Sequence, residues 1–175
     1  MTIYTIGHST RPAAELVGLL QGHGVRTLVD VRTIPRSRHN PQFNTDALAA
    51  TLAAADIGYV HMPSLGGLRR PRPDSINAGW RNLSFRGYAD YMQTPAFAAA
   101  IDALIGIARS QPTAIMCAEA VPWRCHRSLV ADALLVRGVP AAEIVSATCA
   151  TPHALTPFAR VAGGAITYPA EGTLL

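Results

Sequence analysis

The sequence predicts an α/β fold: a single domain with a mainly parallel sheet of about five strands flanked by helices. Two observations carry this. Short apolar runs alternate with amphipathic stretches of helical spacing along the chain. The runs are continuous rather than alternating in polarity, as strands covered on both faces require. A chain of 175 residues that is 49% hydrophobic and 15% charged is also suited to one sizeable core. No apolar run approaches the roughly 20 residues needed to span a bilayer, and the first residues lack the basic and long apolar regions of a signal peptide. A cytoplasmic location without membrane contact is therefore expected.

Taken in order, Ile3-Tyr-Thr-Ile6 reads as a buried strand ended by Gly7, with His8, Ser9 and Thr10 in the loop after it. Pro12 suits the first turn of a helix capped near Thr10 or Arg11, and Leu16, Leu19 and Leu20 share one face of it. Residues 25–31 form a second strand, with Asp30 and Arg32 at its end. Residues 33–43 are basic and hold two prolines, so no regular element fits throughout. Asn44 or Thr45 caps a helix to about Ala55, and residues 57–61 form a third strand. Residues 62–82 read as a long polar insertion with Trp80 near its end, followed by a short helix over 88–92. Thr94-Pro95 opens a helix to about Ser110. A strand over 113–117, a loop, a helix over 124–137 and a last strand over 143–146 complete the core. The Pro/Gly-rich tail from Thr151 is expected to be irregular.

The densest chemistry lies in the strand–loop–helix unit over 113–137. It holds Cys117, Glu119, Arg124, Cys125, His126 and Arg127. In parallel sheets ligands bind beyond the carboxyl ends of the strands, facing helix N-termini. Topology therefore places His8, Asp30, Arg32, Cys117 and Glu119 as neighbours. Arg124 and Arg127 at the helix start, with Arg32, Arg36 and Arg38 from the adjacent loop, suggest a cradle for phosphate or carboxylate. The competing reading pairs Arg127 with Asp30 or Glu119 as a buried ion pair. A thiol at a helix N-terminus beside Arg and His has its pKa lowered, so Cys125 is a candidate thiolate, with Cys117 as its partner or as the nucleophile itself. The plainer reading makes both cysteines structural. No cofactor is expected. Cys117, Glu119, Cys125, His126 and His8 are all zinc-ligand types, but there is no Cys-x-x-Cys pair and no histidine pair at helical spacing.

Other residues carry weaker signals. His23, His61 and His153 are expected to be structural or surface groups, and Cys149 a small buried hydrophobe. Residues 69–73 suggest a solvated loop. Trp80, Phe85 and Tyr88 read as exposed aromatics that cover the site or form a dimer contact. All fifteen basic residues are arginine, so no lysine is present for Schiff-base chemistry, and the net charge of +4 permits an anionic partner, including nucleic acid, without requiring one.

Six motifs, Tyr4-Thr-Ile-Gly-His-Ser9, Val29-Asp-Val-Arg32, Pro35-Arg-Ser-Arg38, Leu65-Gly-Gly67, Met116-Cys-Ala-Glu119 and Cys125-His-Arg127, occur in this order. Together they resemble the bacterial family called domain of unknown function 488, over Tyr4 to about Pro157. The resemblance implies one α/β domain but supplies no reaction. It singles out His8, Asp30, Arg32, Arg36, Arg38, Cys117, Glu119, Cys125, His126 and Arg127. The chain departs from the pattern after its last strand, where Ser146-Ala-Thr148 stands in place of an expected histidine. A fainter resemblance is to rhodanese-like domains, through Val29-Asp-Val-Arg32 and Ile115-Met-Cys117; the loop after Cys117 is longer than theirs.

The expected function is an enzyme acting on a small anionic, phosphate- or nucleotide-like substrate. Arg32 and Arg127 would bind the anion, Cys117 or Cys125 would be the nucleophile or redox group, and Glu119, His126 or His8 the acid/base. The alternatives are a nucleic-acid-binding module built on the arginine-rich loops, a rhodanese-like sulfur carrier, and a metal-binding domain.

Overall fold

The apolar runs become strands of one twisted sheet in a computed structural model, which describes residues 1–171. β1 (Ile3–Gly7), β2 (Thr27–Asp30), β3 (Gly58–His61), β4 (Thr113–Cys117) and β5 (Ala141–Ser146) are parallel, and β6 (Cys149–Pro152) adds an antiparallel edge. The strand order is β3-β2-β4-β1-β5-β6. The helices are α1 (Ala13–Gly22), α2 (Thr45–Ala53), α3 (Leu83–Tyr91), α4 (Pro95–Ser110) and α5 (Arg127–Val136).

β4 shows why the runs are continuous. All five of its residues are buried. Ala114 and Met116 pack with Leu16, Leu20, Leu48 and Leu52 of α1 and α2 on one face. Ile115 and Cys117 pack with Ile101, Leu104, Leu129 and Leu134 of α4 and α5 on the other. A period of two with both faces covered leaves no solvent-facing position along the strand, and the hydroxyl of Thr113 at its start donates to Gln111 O. β4 also lies between β1 and β2, which precede it in sequence, so three strand ends meet: Gly7 is in register with Cys117, and Asp30 with Met116.

Side-chain caps mark the starts of α3 and α4, whereas Pro12 and Asn44, ahead of α1 and α2, make no side-chain cap bond. Thr94 accepts a hydrogen bond from Phe97 N, with Pro95 at the first helical position of α4. Asn82 accepts from Ser84 N and Phe85 N, so α3 starts at Leu83 and is longer than the stretch expected over 88–92. The helix expected from 124 begins instead at Arg127. Pro122–Arg124 form a 3₁₀ turn and Cys125 is extended, which places both Cys125 and His126 ahead of α5.

The tail is more regular than expected. Besides β6 it forms a hairpin of β7 (Arg160–Ala162) and β8 (Ala165–Thr167). Gly163 and Gly164, at φ +55° and +80°, occupy the two left-handed positions that such a tight turn needs. The hairpin is followed by Tyr168, fully buried, whose hydroxyl donates to Asp132 Oδ2 of α5 at 2.8 Å. Asp132 Oδ1 also receives His153 Nε2 at 2.7 Å and Thr156 N at 3.1 Å. This carboxylate therefore ties the tail to the core. Residues 172–175 of the expected irregular tail lie outside the described residues.

Three further expectations are corrected. Cys149 is exposed, because it sits on the edge strand rather than under it. Tyr88 is fully buried, and Trp80 and Phe85 are partly buried against the core, with the Trp80 ring edge-on to Phe158 and tilted against Tyr168. The segment over 62–82 is pinned. Tyr88 Oη donates to Leu65 O at 2.8 Å, Asp90 accepts from Arg72 N, Ser75 and Asn77, and the Arg69 guanidinium lies 3.6 Å from the Tyr91 ring centroid. No single helix among the described residues is long and apolar enough to cross a membrane.

Candidate functional site

A cavity of about 720 Å³ opens at the carboxyl ends of β1, β4 and β2. Its lining includes His8, Arg32, Cys117, Cys125 and His126, with Arg36, Glu119 and Arg124 at its exposed mouth. The parallel register makes these groups neighbours, since each follows or ends a strand whose tip is level with the next.

Cys117 ends β4 as a residue only 2% exposed that lines the cavity, which is the route by which reagents reach it. Its sulfur receives Arg127 Nη1 at 2.7 Å. Arg127 is completely buried, and each of its five N–H groups has an acceptor. Nη1 also donates to Glu119 O at 2.7 Å. Nη2 donates to Ala120 O at 3.2 Å and Glu143 Oε1 at 2.8 Å, and Nε to Glu143 Oε2 at 3.4 Å. Thr5 Oγ1 donates to the same Glu143 carboxylate. Burial pushes the Cys117 thiol up, but hydrogen bonding from Cys125 and the charge of Arg127 outweigh it, and the net displacement is below the ordinary thiol value.

Cys125 is buried and lines the same cavity as Cys117. Its thiol is pushed upward, first by hydrogen bonding to the Cys117 sulfur and then by burial. Its Sγ is 3.5 Å from His126 Nδ1. The other ring nitrogen, Nε2, is 2.9 Å from Val31 O. A carbonyl can only accept, so Nε2 carries the proton and Nδ1 turns a lone pair to the thiol. Burial brings His126 down to about 4, which keeps the ring neutral. Gly67 makes room for it: a β-carbon there would collide with Nδ1.

His8, Arg32 and Asp30 form the opposite wall. Arg32 Nε and Nη2 pair with the two oxygens of Asp30 at 2.9 and 2.6 Å, and Nη2 also reaches Phe43 O at 2.7 Å. Tyr59 Oη donates to Asp30 Oδ2 at 2.7 Å. His8 Nδ1 donates to Ser9 O at 2.7 Å, and its Nε2 accepts from Arg32 Nη1 at 3.2 Å. Burial lowers the pKa of His8, and the ring stacks on Phe43 with centroids 4.3 Å apart. His8 therefore has no vacant nitrogen with which to take a substrate proton. Arg32 keeps one Nη1 hydrogen for the cavity, by the count of its five donors.

Most of the residues expected at the site line one cavity, but several have other partners than the sequence suggested. The partner of Arg127 is Glu143, not Asp30 or Glu119, and the arginine has no donor left for a substrate anion. The first turn of α5 is not an open anion cradle either, because Ser128 N and Leu129 N already donate to the carbonyls of Cys125 and His126. Arg38 is exposed and lies outside the cavity lining. Arg69 and Arg72 are committed to Tyr91 and Asp74. Among the described residues no three His, Cys, Asp or Glu side chains group as metal ligands. Glu143, Thr5 and Gly67 were not anticipated as site residues. The signal for Glu143 was a lone carboxylate within the apolar run Ala141-Ala-Glu-Ile-Val145, since a charge in a buried strand needs a partner.

The family model described as domain of unknown function DUF488 matches residues 12–134, a span that includes Asp30, Arg32, Cys117, Cys125, His126 and Arg127. No curated protein and no solved structure matches the chain.

Proposed function

The chain belongs to the DUF488 family, and from its site we propose that it is a thiol-dependent enzyme acting on a small anionic substrate. Cys117 is the nucleophile. The observation that carries this reading is the contact of a fully buried guanidinium with its sulfur, Arg127 Nη1 to Sγ at 2.7 Å, at the floor of a large cavity. A cation held there favours the thiolate, which is the reactive form. Arg127 acts on the nucleophile and not on the substrate. The anion is met by Arg36 and Arg124 at the mouth and by the remaining Nη1 hydrogen of Arg32 inside, which is oriented by Asp30 and His8. Glu119, exposed at the same mouth, supplies or takes a proton as the substrate enters or leaves.

Competitive carboxymethylation tests this reading. Anionic iodoacetate and neutral iodoacetamide are offered together, and the adduct ratio at Cys117 is compared with that of free cysteine. We expect a ratio shifted toward iodoacetate, falling with added salt and in the Arg36→Ala/Arg124→Ala double variant. A ratio equal to that of free cysteine, or no adduct at Cys117, overturns the proposal.

A further inference from the structure

The thiolate of Cys117 does not stand alone. Cys125 lines the same cavity, and its Sγ lies 3.5 Å from His126 Nδ1; the two sulfurs are close enough for charge on Cys117 to hold Cys125 protonated. The proposed nucleophile alone does not require this arrangement. A buried cysteine whose role is to fill space needs neither a fixed imidazole lone pair nor contact with a reactive thiol. The His126 tautomer is enforced from outside by Val31 O, and its ring position requires the missing side chain of Gly67.

We infer that Cys117 and Cys125 form a nucleophile–resolving pair with His126 as the base for the second thiol, and that the substrate class is small anionic disulfides. This rests on the reading of Cys117 as the nucleophile. In the first step the Cys117 thiolate attacks one sulfur of R–S–S–R. A bond forms between Cys117 Sγ and that sulfur, the substrate disulfide breaks, and R–S⁻ leaves with the bonding pair. In the second step Cys125 gives its proton to His126 Nδ1 and attacks Cys117 Sγ. The Cys117–Cys125 disulfide forms, the second R–S⁻ leaves, and the imidazolium proton is returned to solvent. Both electrons gained by the substrate come from the two cysteines. A small thiol reductant reopens the protein disulfide by exchange, at the cost of its own oxidation.

The electrostatics order the steps. While Cys117 carries the charge, its hydrogen bond and proximity hold Cys125 protonated. Once Cys117 is bonded to the substrate sulfur, that charge is gone. Arg127, through its guanidinium charge and its backbone N–H, then favours the Cys125 thiolate. The resolving thiol is thus switched on by the first step and not before it.

The experiment uses dithiodiglycolate, the disulfide of thioglycolate, on the full chain carrying Cys149→Ser, because Cys149 is exposed and would form adducts of its own. Intact-mass and peptide mapping should show the chain losing two hydrogens, with Cys117 linked to Cys125 and both thioglycolates released. Cys125→Ala should instead keep one thioglycolate on Cys117. His126→Gln should accumulate the same adduct and resolve it at least tenfold more slowly. A stable adduct on Cys117 of the otherwise native chain, with no internal disulfide, overturns the resolving pair and leaves the nucleophile reading intact. No reaction at Cys117 in the otherwise native chain or in Cys125→Ala overturns both. The native-chain result stands even if a variant fails to fold.

Discussion

Arg127 and Cys117 form a buried pair in which a guanidinium nitrogen lies 2.7 Å from a sulfur, although ten residues and a turn separate them in sequence. The helix that carries Arg127 starts only after Cys125, so its first side chain passes back under the loop to the end of β4. The same guanidinium binds the carbonyls of Glu119 and Ala120, which fixes the loop that closes over the thiol. One residue thus shapes the loop, neutralises Glu143 and holds the Cys117 sulfur.

Arg127→Met should therefore affect stability and reactivity together. It leaves Glu143 without its partner and two carbonyls without donors. Breaking a buried ion pair from one side costs about 3–5 kcal/mol. Denaturant unfolding should show a loss of this order, and alkylation of Cys117 at neutral pH should slow by at least about tenfold, the effect of one pKa unit. Arg127→Met combined with Glu143→Gln should recover part of the stability and none of the reactivity.

His126 sets an acid limit. Its folded-state value is lowered from 6.5 to about 4. As the pH falls below 6.5 the unfolded chain takes up the proton first, so stability declines through this window and the loss levels off near 4. The full displacement corresponds to about 3 kcal/mol. His8 is displaced in the same direction and adds to the decline. Unfolding at a series of pH values should show a shallower decline for His126→Gln over this range.

Gly67→Ala should disturb His126 and the second thiol while leaving the Cys117–Arg127 pair in place. The new methyl would collide with His126 Nδ1, so either the ring or the loop over 65–68 must shift. Overpacking of this kind costs about 1–3 kcal/mol. The His126 ring signal in NMR should move, and the Cys125 environment with it, while Cys117 still labels.

Asp132→Asn should loosen the tail. The carboxylate accepts from His153, Thr156 N and Tyr168, and it is completely buried. An amide presents only one oxygen to these donors, so at least one loses its acceptor, at about 1–3 kcal/mol. Hydrogen exchange should rise at Thr156 and Tyr168 and stay unchanged in β4.

The parallel sheet was legible because buried strands leave continuous apolar runs, and the site because chemistry in such sheets collects at strand ends. Thr113-Ala-Ile-Met-Cys117 carried both signals at once. The start of α5 was misplaced because Cys125-His-Arg127 has helix-compatible residues, and nothing local distinguishes a 3₁₀ turn after Pro122 from a first helical turn. The Glu143 pairing was hidden because it depends on register: β5 lies beside β1 with Glu143 opposite Thr5, a relation set by the whole sheet. β7 and β8 were missed because three-residue strands carry almost no periodicity, leaving only Gly163-Gly164 as a signal.

The most direct measurement is the pH dependence of iodoacetamide alkylation at Cys117, followed by peptide mass mapping in the Cys149→Ser background. A thiolate held by Arg127 should give a rate that reaches half its plateau clearly below the value of about 8.5 for a free cysteine, with Cys125 unlabelled over the same range. A midpoint at or above that value, or labelling of Cys125 ahead of Cys117, would contradict the assignment of Cys117 as the nucleophile.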